Sequence, residues 1–158
     1  MRFTGNTDAK TDTKGRVFLP AAFRKVLQGS GEEGLILRRD VFQHCLVLYP
    51  ESIWNRLIDD LTARTHPFDR KGRELLRRFV ADAERIVPDG NGRLLLSRRY
   101  LLSAGITTDV RFIGMDDTIE IWSREEAEKL LEDNGELGDG LEAMINIAAG
   151  QPNASHEQ

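Results

Sequence analysis

The chain has 158 residues, 40% hydrophobic and 30% charged, with a formal net charge of −4, a composition that excludes collagen-like and disordered classes and fits a globular domain. Its longest unbroken apolar runs are a few residues, far short of a bilayer span, and residues 1–5 lead into polar sequence without a secretory leader pattern. The lone cysteine, Cys45, excludes an internal disulfide, so a reducing, intracellular setting is expected.

Residues 8–11 read as a short polar strand running into Asp12-Thr13-Lys14-Gly15-Arg16. An aspartate accepts hydrogen bonds from backbone N–H groups two residues on, and a glycine takes the positive φ that closes such a turn. Asp12 and Gly15 are therefore the turn-structuring pair, and Lys14 and Arg16 project from a stiff, water-exposed corner. Val17-Phe18-Leu19 reads as the return strand of a β-hairpin. Pro20 stands where a helix starts, residues 21–27 are good helix formers, and Gly29-Ser30-Gly31 stops them. Residues 35–37 and 45–49 are two further strands, joined by a loop that contains His44. After Pro50, residues Ile53, Trp54, Leu57, Ile58 and Leu61 fall at helical spacing. A polar break with Pro67 follows, and from Gly72 the pattern returns as Leu75, Leu76, Phe79, Val80 and Ala83. Two such helices with a short link are expected to fold back as an antiparallel pair, with Arg73 and Arg77 on a polar flank of the second.

The chain then repeats itself. Residues 84–87 form a strand, Asp89-Gly90-Asn91-Gly92-Arg93 a turn, and Leu94-Leu95-Leu96 the return strand. Asp89 and Gly92 take the turn-structuring places, and Arg93 takes that of Arg16. Ser97 is placed to cap a helix over 98–104 that Gly105 terminates. Strands over 110–114 and 118–122 flank Met115-Asp116-Asp117, and Ser123-Arg124-Glu125-Glu126 is a capping box for a helix carrying Ala127, Leu130 and Leu131. Gly135, Gly138 and Gly140 loosen the chain before one more short helix through Leu141, Met144, Ile145 and Ala148; the last residues are expected to be disordered. Each half thus reads hairpin, short helix, strand pair, helix. Domains below about 60 residues are marginal on their own, so the halves should complete each other by exchanging strands in a shared barrel-like core. The organisation expected is a first half at 1–62, a connecting basic helix at 63–83, a second half at 84–134 and an acidic, glycine-containing tail at 135–158.

The charge is unevenly spread. Residues 1–30 hold six Lys/Arg against two acids and residues 64–78 another six against two, whereas residues 116–142 carry eleven acids against Arg124 and Lys129. A basic front and an acidic back suit a protein that offers one face to a polyanion. A solvated helix face is the usual meaning of an isolated charge run; here a basic turn and a basic segment occur together.

The doubled Asp-x-x-Gly-Arg turns, the strand end Leu46-Val47-Leu48-Tyr49-Pro50 and the helix pair between the halves resemble the MraZ family, bacterial transcriptional regulators with the AbrB-type swapped-hairpin fold. The resemblance runs from about Phe3 to Leu131. It implies an α+β fold of two pseudo-symmetric AbrB-like swapped-hairpin halves sharing a β-barrel-like core, with an inserted antiparallel helix pair. It further implies a ring-shaped, octamer-like homo-oligomer that binds short direct repeats of double-stranded DNA upstream of the division and cell-wall gene cluster, in the cytoplasm and associated with the nucleoid. The family's DNA-contacting residues map onto Lys14, Arg16 and Arg93. Asn91 stands where the first turn has Lys14, which makes the second turn the weaker contact, and Ser97 stands where the first half has Pro20.

An arginine fork suits guanine O6 and N7 in the major groove, and Lys14, as a compact point charge, suits a phosphate. The plainer role for Arg16 is an ion pair with Asp12 that staples the turn, and the two roles are compatible. Arg73, Arg77, Arg98 and Arg99 read as solvated. No catalytic centre, metal site or cofactor is expected: the glycines lack dinucleotide or phosphate-loop spacing, His44, His66 and His156 lack ligand spacing, and no nucleophile-elbow motif occurs. Trp54 and Trp122 read as core or interface anchors. Two other classes fit parts of the chain: an antitoxin-type module that holds a protein partner, and an assembly protein whose acidic helix over 123–133 is the working surface.

Overall fold

A computed structural model describes residues 1–150; the tail expected to be disordered therefore lies mostly outside the described residues. The chain is α+β. In order it forms β1 (Asn6–Lys10), β2 (Arg16–Phe18), α1 (Ala21–Gly29), β3 (Leu35–Arg39), β4 (Leu46–Pro50), α2 (Glu51–Ala63) and α3 (Arg70–Ala81). The second half adds β5 (Glu84–Ile86), β6 (Arg93–Leu95), α4 (Arg98–Ser103), β7 (Asp109–Met115), β8 (Thr118–Ser123), α5 (Arg124–Leu130) and α6 (Glu136–Ala148).

The strands are interleaved. A six-stranded sheet runs β1-β7-β8-β4-β3-β5 and a two-stranded ribbon pairs β2 with β6. All pairs are antiparallel, and β1–β7, β3–β5, β4–β8 and β2–β6 each join one half to the other. This corrects the expected hairpins: β1 and β2 flank the first turn but ladder with different partners, as do β5 and β6 at the second. The physical reason is core size: neither half is long enough to build a stable core alone, and exchange sets Val17 of β2 beside Leu94 of β6, both buried in one core drawn from the two halves. The registers mirror each other, Arg16 opposite Leu95 and Phe18 opposite Arg93, Leu46 opposite Ile121 and Leu48 opposite Ile119.

The larger of two buried clusters among the described residues unites the halves, with Val17, Leu19, Phe23, Leu35, Leu37, Leu46 and Leu48 from the first packed with Leu94, Leu96, Tyr100, Val110, Phe112, Ile119 and Ile121 from the second. Residues Met1–Ala127 accordingly form one compact unit. Phe3 is also buried, edge-on to Phe23, and its N–H donates to the Asp116 carbonyl (2.6 Å). Nothing local in residues 1–5 signals this burial. Trp54 and Trp122 are both buried, so the expectation of anchoring apolar contacts holds for each.

Helix α3 starts at Arg70, two residues before Gly72, because Asp69 caps it by accepting from the Gly72 N–H (3.0 Å); it ends before Ala83. Trp54 near the start of α2 stacks on Phe79 near the end of α3 (centroids 5.3 Å apart), the contact of an antiparallel pair. Ser97 occupies the N-cap position of α4, but its hydroxyl makes no cap bond and is buried without a partner among the described residues. At Ser123 the serine half of the expected capping box is present, Ser123 Oγ accepting from the Glu126 N–H (3.2 Å).

A second unit begins at Glu128 and contains α6. Gly138 and Gly140, expected to loosen the chain, lie inside this helix; an interior glycine costs only about 1 kcal/mol against alanine. Leu137, Leu141, Met144, Ile145 and Ile147 of α6 are exposed.

Candidate nucleic-acid interface

The two Asp-x-x-Gly-Arg turns are built alike. Asp12 Oδ1 accepts from the N–H groups of Lys14 and Arg16 (2.9 Å each), and Asp12 Oδ2 accepts from Arg16 Nε (2.7 Å). Asp89 Oδ1 accepts from Asn91 and Arg93 N–H (2.9 Å each), and Oδ2 from Arg93 Nε (2.9 Å). The Gly15 and Gly92 N–H groups donate to the carbonyls of Asp12 and Asp89, with positive φ at both glycines, 86° and 82°. The backbone hydrogen bond from Arg16, with the other N–H groups and the guanidinium, holds the Asp12 carboxyl below the ordinary carboxylate range; Arg93 does the same for Asp89.

The turns also clasp each other. Leu19 N–H donates to the Gly92 carbonyl (3.0 Å) and Leu96 N–H to the Gly15 carbonyl (2.9 Å), so each turn is bonded to the end of the strand in the other half. A Cβ on Gly15 would stand 2.5 Å from the Leu96 carbonyl oxygen and 3.4 Å from Leu101. At Gly92 the corresponding neighbour is Arg24 of α1. In the sequence Arg24 is only one of the six cations of residues 1–30; its place beside the second turn depends on the strand exchange and has no local signal.

The ribbon register puts Arg16, Phe18, Arg93 and Leu95 on one face and Val17 and Leu94 on the other. The first face is open: the arginine side chains are 34% and 25% exposed, and Phe18 and Leu95 are more than half exposed. Arg93 lies over the Phe18 ring at 6.0 Å. Each guanidinium makes its hydrogen bond through Nε, and no described residue is hydrogen-bonded to its two Nη groups. The ion pair of Arg16 with Asp12 is therefore present, and Arg93 makes the same pair with Asp89. Lys14 is exposed at the tip of its turn, and Asn91 sits at the matching tip. The apolar part of this face, Phe18 and Leu95, is legible in the sequence only as part of the two return strands.

Other basic residues divide. Arg99, read as solvated, donates to Asp82 Oδ1 (3.2 Å) and to the Asp82 carbonyl, and stacks on Tyr100. Arg73 and Arg77 line a shallow cleft with Pro67, Phe68 and Glu74, apart from the ribbon in sequence and sheet. Among the described residues no group of His, Cys, Asp and Glu is arranged to hold a metal, and no helix is long and apolar enough to cross a membrane.

Comparison with known proteins bears on the doubled architecture. A family model described as MraZ protein and antitoxin-like matches residues 2–78 and again residues 79–145. A Bacteroides fragilis protein named transcriptional regulator MraZ is 51% identical over 145 residues, covering 92% of both chains. A Phocaeicola vulgatus protein of the same name is 52% identical over 145 residues, covering 92% of this chain and 94% of that one. A Nitratidesulfovibrio vulgaris protein of that name is 35% identical over 124 residues, covering 78% and 82%.

Proposed function

This chain belongs to the MraZ family, and we propose on that premise that it regulates transcription as a sequence-specific DNA-binding protein of the cytoplasm and nucleoid. It acts by binding, with no catalytic step and no cofactor. In this reading the ribbon of β2 and β6 enters the major groove, Arg16 and Arg93 meet guanine edges, and Lys14 meets a phosphate. The interleaved strands are the AbrB-type swapped hairpin in this reading. The DNA is a set of short direct repeats upstream of the chain's own gene in the division and cell-wall cluster, engaged by several subunits of a ring at once.

The observation that carries the reading is the pair of guanidiniums on one open ribbon face, each locked through Nε by its own aspartate. A lock at Nε leaves the Nη pair as a preset end-on fork, the geometry for two parallel bonds to O6 and N7. It also removes the rotamer freedom that a flexible arginine would lose on binding. Arg24 beside Gly92 gives the second turn a cation that Asn91 does not.

The test is a titration on DNA from just upstream of the gene at two salt concentrations. The wild type should bind it above unrelated DNA, with affinity falling steeply with salt. Arg16→Ala should lose that preference by about 5- to 150-fold, the loss of a good bidentate pair being about 1–3 kcal/mol, with the oligomer unchanged. Arg93→Ala should cost less. Unchanged preference in Arg16→Ala sinks the mechanism. The antitoxin-like wording of the family description favours one rival, a module that holds a protein partner; a wild type with no preference for the upstream DNA would point there.

A further inference from the structure

The proposed interface contains more than cations. Phe18 and Leu95 are 56% and 59% exposed, and the register seats each opposite an arginine of the other half, Phe18 by Arg93 and Leu95 by Arg16. The result is an alternation: a charged and an apolar side chain across each rung of the face, repeated in mirrored order. Neither apolar residue is free to turn inward, because strand alternation commits that direction to Val17 and Leu94, which are 1% and 0% exposed. The Phe18 ring is further steadied beneath the Arg93 guanidinium.

Only one base offers an apolar group on its major-groove edge, thymine with its 5-methyl, and guanine is the base an arginine fork fits. Side chains opposite each other on a ribbon have Cβ atoms about 4.5–5.5 Å apart, and successive bases rise about 3.4 Å, so one rung spans neighbouring bases. We infer that Phe18 and Leu95 are specificity-determining contacts that read thymine methyl groups next to the guanines met by Arg16 and Arg93. This rests on the DNA-binding reading above and adds to it what the apolar half of the face selects. A protein partner fits the face less well. It would have to bury two guanidiniums whose only carboxylates are already committed within the turns, at the cost of desolvating charge.

The upstream DNA fragment is made in two forms, one with thymine and one with uracil at every thymine position, which removes only the methyl groups. Wild-type protein should bind the thymine form about 4- to 15-fold more tightly, the range for burying one or two methyl groups. Phe18→Ala and Leu95→Ala should each shrink that ratio toward one, while oligomer mass and salt dependence stay as in the wild type. Phe18→Leu should keep part of the ratio. Equal wild-type affinity for both DNA forms overturns the inference whatever the variants do. So does an undiminished ratio in both alanine variants, or a change of oligomer mass in Phe18→Ala, which would make the face a subunit contact. If the wild type does not prefer the thymine fragment over unrelated DNA, the DNA-binding reading itself fails and this inference falls with it; specific binding without methyl discrimination fails the inference alone.

Discussion

Asp12 and Asp89 each accept three hydrogen bonds that favour the ionised carboxylate, and the folded state holds both below the ordinary value of 3.8. The unfolded chain therefore binds more protons than the folded one in acid. Their contribution is complete above the ordinary carboxylate value and is lost as pH falls through the lowered folded value. Thermal melts of wild type and of the Asp12→Asn, Asp89→Asn double variant between pH 7 and pH 3 should show the wild type losing more stability on acidification; parallel profiles would contradict this. The glycines give a sharper contrast. Gly15→Ala needs a positive φ and meets the Leu96 carbonyl, whereas Gly90 has ordinary φ and nothing within 4 Å of an added Cβ. Gly15→Ala should cost about 1–3 kcal/mol and Gly90→Ala close to nothing, read from denaturant midpoints. These turns were legible in the sequence because their chemistry is local: an aspartate, a glycine and an arginine within five residues specify the geometry whichever strand lies beside them.

Elements whose partners are distant were less legible. The marginal size of each half points to strand exchange, but no residue of β1, β2, β5 or β6 says which strand of the other half is its partner, since the alternation of buried and exposed residues is satisfied by several pairings. Nor does anything local single out Asp82, just past the end of α3. It accepts from Arg39 at the end of β3 (Nη2 to Oδ1, 2.6 Å) and from Arg99 of α4 (3.2 Å), while Tyr100 Oη donates to its carbonyl (2.7 Å). Burial works to raise the Asp82 carboxyl, and the Arg39 hydrogen bonds outweigh it and hold the group below its ordinary value. The Asp82 side chain is only 10% exposed while Arg39 and Arg99 are half exposed, so the clamp ties the connecting helix to both halves through a shielded acceptor and wet donors. Asp82→Asn should lower stability by about 1 kcal/mol, the loss of a charge-assisted bond whose donors can rehydrate, with Arg16 and the ribbon undisturbed. A melt shifted by several degrees together with unaltered DNA preference is the expected pair of results; loss of DNA preference at full stability would mean the clamp orients the interface.

For the whole molecule the question is what covers the connecting helices. They were legible as an amphipathic pair, but α3 buries none of its residues, and a groove of about 690 Å³ lies open between Leu57, Leu61, Leu75, Leu76 and Phe79. Leu75 is 51% exposed and Phe42, at the rim, 88%. Apolar surface of this kind on one subunit is where the proposed ring finds its support, because contacts between unlike surfaces close into rings when the rotation allows. Leu75→Glu places a charge in that groove without touching the core cluster or the ribbon. Light scattering should show its mass falling toward a single chain, with circular dichroism unchanged. DNA carrying the direct repeats should then be bound about 100-fold or more weakly, because the gain from linking several weak contacts reaches about 10²–10⁴. DNA carrying a single repeat should be bound as before. An unchanged mass would move the subunit contact elsewhere on the chain, and equal loss on single and multiple repeats would show that one ribbon, rather than several in series, sets the affinity.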